Sequence, residues 1–283
     1  MKERCKTYLK DLEKLKKRDM LETRNFSSAS KNEGKHIHVL RFFSPLGGIK
    51  MRTKIYGHRG SSGVCPENTM LSFKTALEQG ADGIELDVQL SKDGVPVVIH
   101  DETLERTTNG TGFVKDFTAT QLQTLNAGQS EKIPTLEDVL HLIAGTSAEL
   151  NIELKTVPFL YTDIEEKVLS TVHKAGAENM VIYSSFHLPT LLRLKSICSN
   201  ARIAWLLAMG FPLPHPADCI ETLSLDALHL EKKMLLANPT HYAQVYDKIR
   251  VWTVNNSDET ESLINFGVAA VITDYPEMSE KFC

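Results

Sequence analysis

The chain has 283 residues, a formal net charge of -4, 42% hydrophobic residues and 24% charged residues, which are ordinary values for a globular protein. No low-complexity tract is present, and no apolar run approaches the roughly 18 residues of a membrane span. The five cysteines are scattered, odd in number and without a C-x-x-C pair, which argues against a disulfide framework or a structural zinc site. We therefore expect a cytoplasmic protein without stable membrane insertion.

The positive charge is concentrated at the N-terminus. Residues 1–53 hold 14 Lys and Arg against 6 Asp and Glu, whereas residues 54–283 hold 18 against 30. An acidic body argues against a nucleic-acid partner. We expect residues 1–50 to be a basic extension and residues 51–283 to be the working domain. Three interpretations of the extension stay open, namely an accessory segment, a segment foreign to the native protein with Met51 as the true start, and a dock for anionic membranes.

From residue 54 the sequence alternates between strand and helix patterns. TKIYGHRG predicts a short strand, and ENTMLSFKTALEQG predicts a helix with Asn68 as its cap. GIELDVQL predicts a second strand, in which Glu85 and Asp87 share one face because they are two residues apart. The turn signal Lys92-Asp93-Gly94 then predicts a hairpin that ends at His100.

The remaining elements follow the same order. TLEDVLHLIAG, DIEEKVLSTVHKAG, LPTLLRLKSIC and SDETESLINFG predict helices, and KKMLLANPTHYAQVY predicts a helix interrupted near Pro239. The stretch around Pro212, Pro214 and Pro216 gives no clear element. The strands between them are ELNIELK, MVIYSSF, ARIAWLLA, DALHL, KIRVWTVN and VAAVITD.

About eight strand–helix units in residues 54–283 predict a (β/α)8 TIM barrel, whose usual length is roughly 250 residues. A doubly wound open sheet is the competing architecture. It would usually carry G-x-G-x-x-G after the first strand, and the sequence there is HRGSSG.

Reactive groups in a barrel gather at the carboxyl ends of the strands. Seven of the eight predicted strand ends carry polar or aromatic residues, and only the fifth, Leu206-Leu207, does not. In chain order these residues are His58 and Arg59, Glu85 and Asp87 with His100, Glu153 and Lys155, Ser184 to Phe186, His229, Trp252 and Asp274.

The residue types suit one chemistry. Glu85, Asp87 and Glu153 are hard oxygen ligands, which favour Mg²⁺ or Ca²⁺ over zinc. Fixed positive charge beside them, from Arg59 and Lys155, suits an anion such as phosphate. Histidine transfers protons near neutral pH, so His58 and His100 are the candidate acid and base.

An ordered set of motifs carries a resemblance to a known family. H-R-G, P-E-N-T, E-L-D-V and V-x-H-D occur in that order, followed by IELK, SSF, VWTVN and VITDYP. With these motifs the chain resembles the glycerophosphodiester phosphodiesterases over about residues 54–283. The short segment at about 101–131 is similar to the small insertion after the second strand in bacterial-type, cytoplasmic members.

The resemblance implies a metal-dependent phosphodiesterase that hydrolyses glycerophosphodiesters to sn-glycerol 3-phosphate and an alcohol. It implies His58 and His100 as the acid and base, and Glu85, Asp87 and Glu153 as ligands of a divalent metal. It further implies Arg59 and Lys155 as phosphate contacts, with Phe186 and Trp252 as walls of the substrate pocket. Two alternatives stay open. One is a lysophospholipase D with an apolar wall around Ala204–Pro214, and the other is a non-catalytic phosphodiester-binding barrel.

Overall fold

The computed structural model describes residues 52–211 and 213–282. The prediction of a separate extension at residues 1–50, with its possible start at Met51, lies outside the described residues. No helix within the described part of the chain is long and apolar enough to cross a membrane.

Eight parallel strands close into a barrel, as the alternation of strands and helices predicts. The first strand pairs with both the second and the last, Gly57 aligning with Ile84 and Ile55 with Val271. A ninth strand, β3, pairs antiparallel with β2 as the predicted hairpin. The strands are β1 Lys54–His58, β2 Gly83–Leu90, β3 Pro96–Val98, β4 Glu149–Leu154, β5 Val181–Ser185, β6 Ile203–Leu207, β7 Ala227–Glu231, β8 Ile249–Trp252 and β9 Ala270–Thr273.

Helices connect successive barrel strands and cover the outside of the sheet. They are α1 Met70–Glu78, α2 Ala119–Leu122, α3 Leu136–Ile143, α4 Ile164–Lys174, α5 Leu188–Ile197, α6 Pro216–Leu223, α7 Lys232–Ala237, α8 Ser257–Phe266 and α9 Ser279–Phe282. The predicted interruption near Pro239 is confirmed, because α7 ends before a 3₁₀ segment that spans Pro239–Lys248.

Two local predictions need correction. The cap of α1 is Thr69, whose Oγ1 accepts a hydrogen bond from Ser72 N at 3.2 Å, and not Asn68. The proline-rich stretch without a clear element contains α6. Pro216 is its first residue, where the missing N–H costs no intrahelical hydrogen bond.

The core lies between the barrel and its helices. In β2, Ile84, Leu86 and Val88 are fully buried in this core, while Glu85 and Asp87 point to the opposite face. Both faces of the strand are buried, which is the usual state of a strand in a parallel barrel. The alternating pattern therefore fixes which side chains face the barrel interior.

The insertion after the hairpin has a small core of its own. Val97, Leu104, Val114 and Leu122 belong to an apolar cluster separate from the main core. Its short helix α2 begins with a capping box between Thr118 and Gln121. The insertion therefore stands as a packed unit beside the carboxyl end of β2.

Candidate active site

Three carboxylates meet inside the barrel at the ends of neighbouring strands. Parallel pairing sets Asp87 of β2 opposite Glu153 of β4, and Glu85 lies two residues earlier on the same face of β2. Ligand oxygens of the three side chains all lie within 4.8 Å of one another. All three residues are buried, at 5%, 1% and 8% exposure for Glu85, Asp87 and Glu153. The fold therefore gathers negative charge where little water can screen it.

The three acids respond differently to this environment. Burial, and then the charge of Asp87, raises the pKa of Glu85 to about 8. Burial also raises the pKa of Glu153. It would raise the pKa of Asp87 too, but the charges of Lys155 and Arg59 outweigh it and hold that pKa well below its ordinary value. Without a cation among them, the carboxylates cannot all ionise easily.

The donor set fits a divalent cation. Asp87 Oδ1 is buried without a hydrogen-bond partner among the described residues, and its nearest cation is Lys155 Nζ at 3.5 Å. Three carboxylates without a thiol are the ligand set of a hard cation. Glu85, Asp87 and Glu153 therefore form a candidate site for a divalent metal ion.

Two cationic side chains flank the acids. Arg59 follows β1 in a left-handed conformation, with φ of 54°, and its backbone N–H donates to Glu85 Oε2 at 3.0 Å. Its Nε lies 3.3 Å from Asp87 Oδ2. Lys155 follows β4, and its Nζ lies 2.8 Å from Glu153 Oε1. Both predicted phosphate contacts therefore lie against the acidic cluster, where a bound anion would meet them.

His58 ends β1 next to Glu85 of β2. Its Nδ1 donates to Asp274 Oδ1 at 2.6 Å, so Nε2 takes no part in this contact. Burial alone would lower the pKa of His58, but the hydrogen bond to Asp274 and the charge of Glu85 raise it above its ordinary value. Asp274 is itself fixed by Asn255 Nδ2 at 2.5 Å and by Ser62 Oγ at 2.9 Å.

His100 has a carboxylate partner of the same kind. Its Nδ1 donates to Asp101 Oδ1 at 2.6 Å. Hydrogen bonds from Arg106 lower the pKa of Asp101 to about 2, so the partner stays ionised. Each histidine is thus held through Nδ1 by an aspartate, and neither Nε2 has a hydrogen-bond partner among the described residues.

The predicted aromatic walls lie at the same end of the barrel. Phe186 and Trp252 meet edge to face, with ring centroids 5.7 Å apart. Trp252 Nε1 donates to the backbone carbonyl of His229 at 3.0 Å, which fixes the indole. Among the described residues, neither Phe186 nor Trp252 forms a hydrogen bond with Glu85, Asp87 or Glu153.

His229, the polar residue of the sixth predicted strand end, points into the barrel. It is fully buried, and neither ring nitrogen has a hydrogen-bond partner among the described residues. Burial, and then the charge of Arg250, holds its pKa well below the ordinary value. A neutral, enclosed imidazole of this kind is not placed to exchange protons with a substrate.

Three residues that support the site were not predicted as site residues. Asn68 Nδ2 donates to Asp87 Oδ2 at 2.9 Å, and Glu67 Oε1 accepts from Arg59 Nη1 at 2.8 Å. Arg106 Nη1 reaches Glu67 Oε2 at 2.8 Å from the insertion. The P-E-N-T motif contains two of these residues and was the available signal for them. No local pattern marked Arg106.

Comparison with known proteins identifies the family. The model described as "Glycerophosphoryl diester phosphodiesterase family" matches residues 58–278. A glycerophosphodiester phosphodiesterase of Caldanaerobacter subterraneus subsp. tengcongensis is 43% identical over 235 residues, which are 80% of this chain and 96% of that relative. Another, from Bacillus altitudinis, is 38% identical over 242 residues, with 81% and 97% of the two chains covered.

Solved structures with a similar fold include enzymes described in the same terms. A phosphodiesterase of Oleispira antarctica, in complex with the product sn-glycerol-3-phosphate, has a TM-score of 0.73 and 29% identity, covering 81% of this chain and 96% of its own. The glycerophosphodiester phosphodiesterase of Thermotoga maritima has a TM-score of 0.68 and 27% identity, covering 82% and 99%.

Proposed function

Because this chain belongs to the glycerophosphoryl diester phosphodiesterase family, we propose that it hydrolyses glycerophosphodiesters to sn-glycerol 3-phosphate and an alcohol at the carboxyl end of its barrel. One observation carries the proposal. A buried triad of carboxylates lies beside two cationic side chains, with an aspartate-oriented histidine at the end of β1 and another just after β3.

The phosphate is the part of the substrate that these residues recognise. Arg59 and Lys155 supply positive charge beside the acidic triad, and each holds a carboxylate that keeps its cationic group in place. A phosphodiester oxygen that approaches them forms charge-assisted hydrogen bonds, which are about twice as strong as neutral ones. These contacts bind the phosphate and stabilise the charge that builds on it in the transition state.

Glu85, Asp87 and Glu153 would hold the divalent ion, and we propose Mg²⁺ or Ca²⁺ because all three side chains are carboxylates. When bound, such an ion supplies Lewis-acid polarisation of a phosphate oxygen. The protein prepares the site by fixing the ligands. Asn68 orients Asp87 at 2.9 Å, and Lys155 holds Glu153 at 2.8 Å.

The two histidines move the protons. One accepts a proton from the attacking oxygen, which belongs to water or to the neighbouring glycerol hydroxyl, and the other donates a proton to the leaving alcohol. In each ring Nδ1 is held by an aspartate, at 2.6 Å in both cases, so Nε2 performs the transfer. Phe186 and Trp252 form an apolar wall for the bound diester.

The lysophospholipase D alternative depended on leucines near residues 204–214 as a wall for an acyl chain. Leu206, Leu207 and Leu213 are buried, at 5%, 2% and 8% exposure, so they offer no open surface. Met209 and Phe211, at 55% and 45% exposure, are the apolar side chains that an acyl chain would meet there.

Residues 1–50 remain a separate proposal. The change from a basic to an acidic sequence supports a domain boundary between residues 50 and 51. A protein that begins at Met51 is expected to fold and to keep its turnover of soluble diesters. Insolubility or loss of most of the activity would make the extension part of the working domain. We also propose a cytoplasmic location, for which the scattered cysteines of the sequence are the support.

The test of the main proposal is an assay of the purified full chain against a panel of glycerophosphodiesters and lysophospholipids, with Mg²⁺ and Ca²⁺ compared. Release of sn-glycerol 3-phosphate from the glycerophosphodiesters is the expected result. Faster turnover of the lysophospholipids would favour the lysophospholipase D alternative. Binding of the diesters without any product would favour the non-catalytic barrel.

A further inference from the structure

Most of the large apolar side chains that the described part of the chain exposes lie at one end of the barrel. Ten such side chains are exposed, and eight of them follow the carboxyl ends of strands or belong to the insertion beside β2. The other two, Leu192 and Ile197, lie on α5. Single exposed apolar residues are common on any protein, but a group of them on one face marks an interaction surface.

Six of the eight side chains belong to one sector of this rim. They come from the insertion and from the loops after β4, β5 and β6, which are neighbouring strands. The insertion contacts the β4 loop directly, because Phe113 meets Phe159 edge to face with ring centroids 5.3 Å apart. We call this sector the apolar arc, and its exposed members are Phe113, Val157, Leu160, Phe186, Met209 and Phe211.

The loops of the apolar arc carry little charge. Residues 156–162 and 208–214, which follow β4 and β6, contain no Asp, Glu, Lys or Arg. Val157 and Leu160, at 63% and 72% exposure, have the two highest values of the ten side chains. None of the ten follows β7 or β8, where the polar residues Lys233 and Asn256 are exposed instead. The rim therefore has an apolar sector and a polar sector.

One cation lies within the apolar arc. Lys115 Nζ is 5.4 Å from the centroid of the Phe113 ring and 5.1 Å from that of Phe159. It pairs with Asp116 Oδ1 at 3.1 Å, so the two residues add no net charge to the arc. The side chain of Lys115 remains 38% exposed while it lies over two rings. A lysine arranged in this way suits the boundary between an apolar layer and water.

We propose that the apolar arc docks on a lipid surface without net charge, such as a phosphatidylcholine bilayer. Uncharged loops that expose Leu, Val, Phe and Met gain free energy when these side chains leave water for the boundary of the acyl layer. Residues 54–283 hold 18 Lys and Arg against 30 Asp and Glu, so an anionic surface would repel this domain. The balance of charge therefore favours a zwitterionic surface.

A lipid surface fits the position of the apolar arc better than a second copy of the chain does. The arc lies at the carboxyl end of the barrel, where the carboxylate triad and Lys155 also lie. A folded partner seated on several of these loops would cover the end of the barrel at which a diester enters. A fluid lipid surface contacts the exposed side chains and leaves the polar sector of the rim open to water. The inference adds a docking surface to the proposed function and does not depend on turnover.

Flotation of the full chain with phosphatidylcholine vesicles on a density gradient tests the inference. Wild-type protein should float with the vesicles. The double variant Val157→Ser/Leu160→Ser should partition to them about tenfold to a hundredfold more weakly, because the two most exposed apolar side chains leave the contact. Leu192→Ser/Ile197→Ser removes the two exposed apolar side chains of α5 and is the matched control, which should float as wild type does. Turnover of water-soluble glycerophosphocholine is measured separately and should be the same in all three proteins.

A second measurement places the contact on the arc. The emission of Leu160→Trp should move to shorter wavelength when phosphatidylcholine vesicles are added, whereas that of Ile197→Trp should not.

Three outcomes would overturn the inference. The first is wild-type protein that does not float with phosphatidylcholine vesicles. The second is flotation with phosphatidylglycerol vesicles alone that salt abolishes and Val157→Ser/Leu160→Ser leaves unchanged, which would assign lipid binding to the basic residues 1–53. The third is a dimer that Val157→Ser/Leu160→Ser dissociates, which would show that a second copy covers the arc. Loss of turnover on soluble diesters with flotation intact would instead overturn the proposed function alone.

Discussion

Arg106 Nε lies 2.6 Å from Asp101 Oδ2, and the other oxygen of this carboxylate holds His100 at 2.6 Å. The same guanidinium reaches Glu67 with both Nη atoms, at 2.8 Å each. Glu67 holds Arg59 at 2.8 Å. One side chain of the insertion therefore positions both a proposed proton carrier and a proposed phosphate contact.

Replacing Arg106 by Ala should lower kcat about tenfold to a hundredfold, because His100 and Arg59 both lose an oriented partner while their own contacts to substrate remain. Arg106→Lys should recover part of this loss, since an ammonium can hold Asp101 or Glu67 but cannot span both as a fork. Steady-state kinetics on a glycerophosphodiester checks the effect. A kcat within twofold of wild type in Arg106→Ala would show that the clamp does not position the site.

The metal site can be tested without turnover. Wild-type protein should melt at a higher temperature when Mg²⁺ or Ca²⁺ is added. At a metal concentration one hundred times the Kd, binding should raise the free energy of unfolding by about 2.7 kcal/mol. Asp87→Asn should lose most of this increase, since it removes a charge that the cation offsets, at a residue that is only 1% exposed. Asp247→Asn, at an exposed carboxylate away from the triad, is the matched control and should behave as wild type. An equal increase in wild type and Asp87→Asn would place the metal elsewhere.

Glu149, at the amino end of β4, controls stability at acid pH. Its carboxylate accepts from Tyr56 and pairs with Lys54 at 3.1 Å and with Arg202 at 3.1 Å. Burial would raise the pKa of Glu149, but the hydrogen bonds from Tyr56 and Lys54 and the charge of Arg250 lower it to about 2.

A folded pKa below the unfolded value of about 4.3 gives stability that is present above pH 4.3 and is lost as the pH falls toward 2. Glu149→Gln should therefore reduce the free energy of unfolding at pH 7 by about 1–2 kcal/mol, after allowance for solvent screening. The difference from wild type should narrow below pH 4. Urea melts at several pH values measure it, with Glu261→Gln as control. If Glu149→Gln were less stable than wild type by the same free energy of unfolding down to pH 2, the lowered pKa of Glu149 would be contradicted.

The barrel fold and the orientation of the acidic side chains could be predicted, because both follow from local sequence patterns. Glu85 and Asp87 face the barrel interior because a strand places residues two apart on one face, and the order of strands and helices determined the barrel. The pairing of His58 with Asp274 spans 216 residues and exists only because β9 closes onto β1. No local pattern could reveal it.

Asn68 shows why the cap of α1 was assigned wrongly. Asn and Thr are both good caps, and they stand next to each other before the helix. Thr69 takes the cap position, while Asn68 adopts a left-handed φ of 56°. Its side-chain amide instead lies 2.9 Å from Asp87. Which of the two residues caps the helix depends on Asp87 of β2. The sequence at the start of the helix does not include that contact.

We propose that His58 and His100 transfer the protons of phosphodiester cleavage. The most direct test is kcat/KM on glycerophosphocholine for two single variants, their double variant and one control variant. His58→Ala and His100→Ala should each lose about 10²–10⁴ in rate, the usual contribution of a positioned acid or base. The double variant should be little worse than either single one, because the two groups act together. His141→Ala, at an exposed histidine of α3, should keep the wild-type rate. Retention of more than about a tenth of the activity by either single variant would contradict the claim, since a proton carrier contributes at least about a hundredfold.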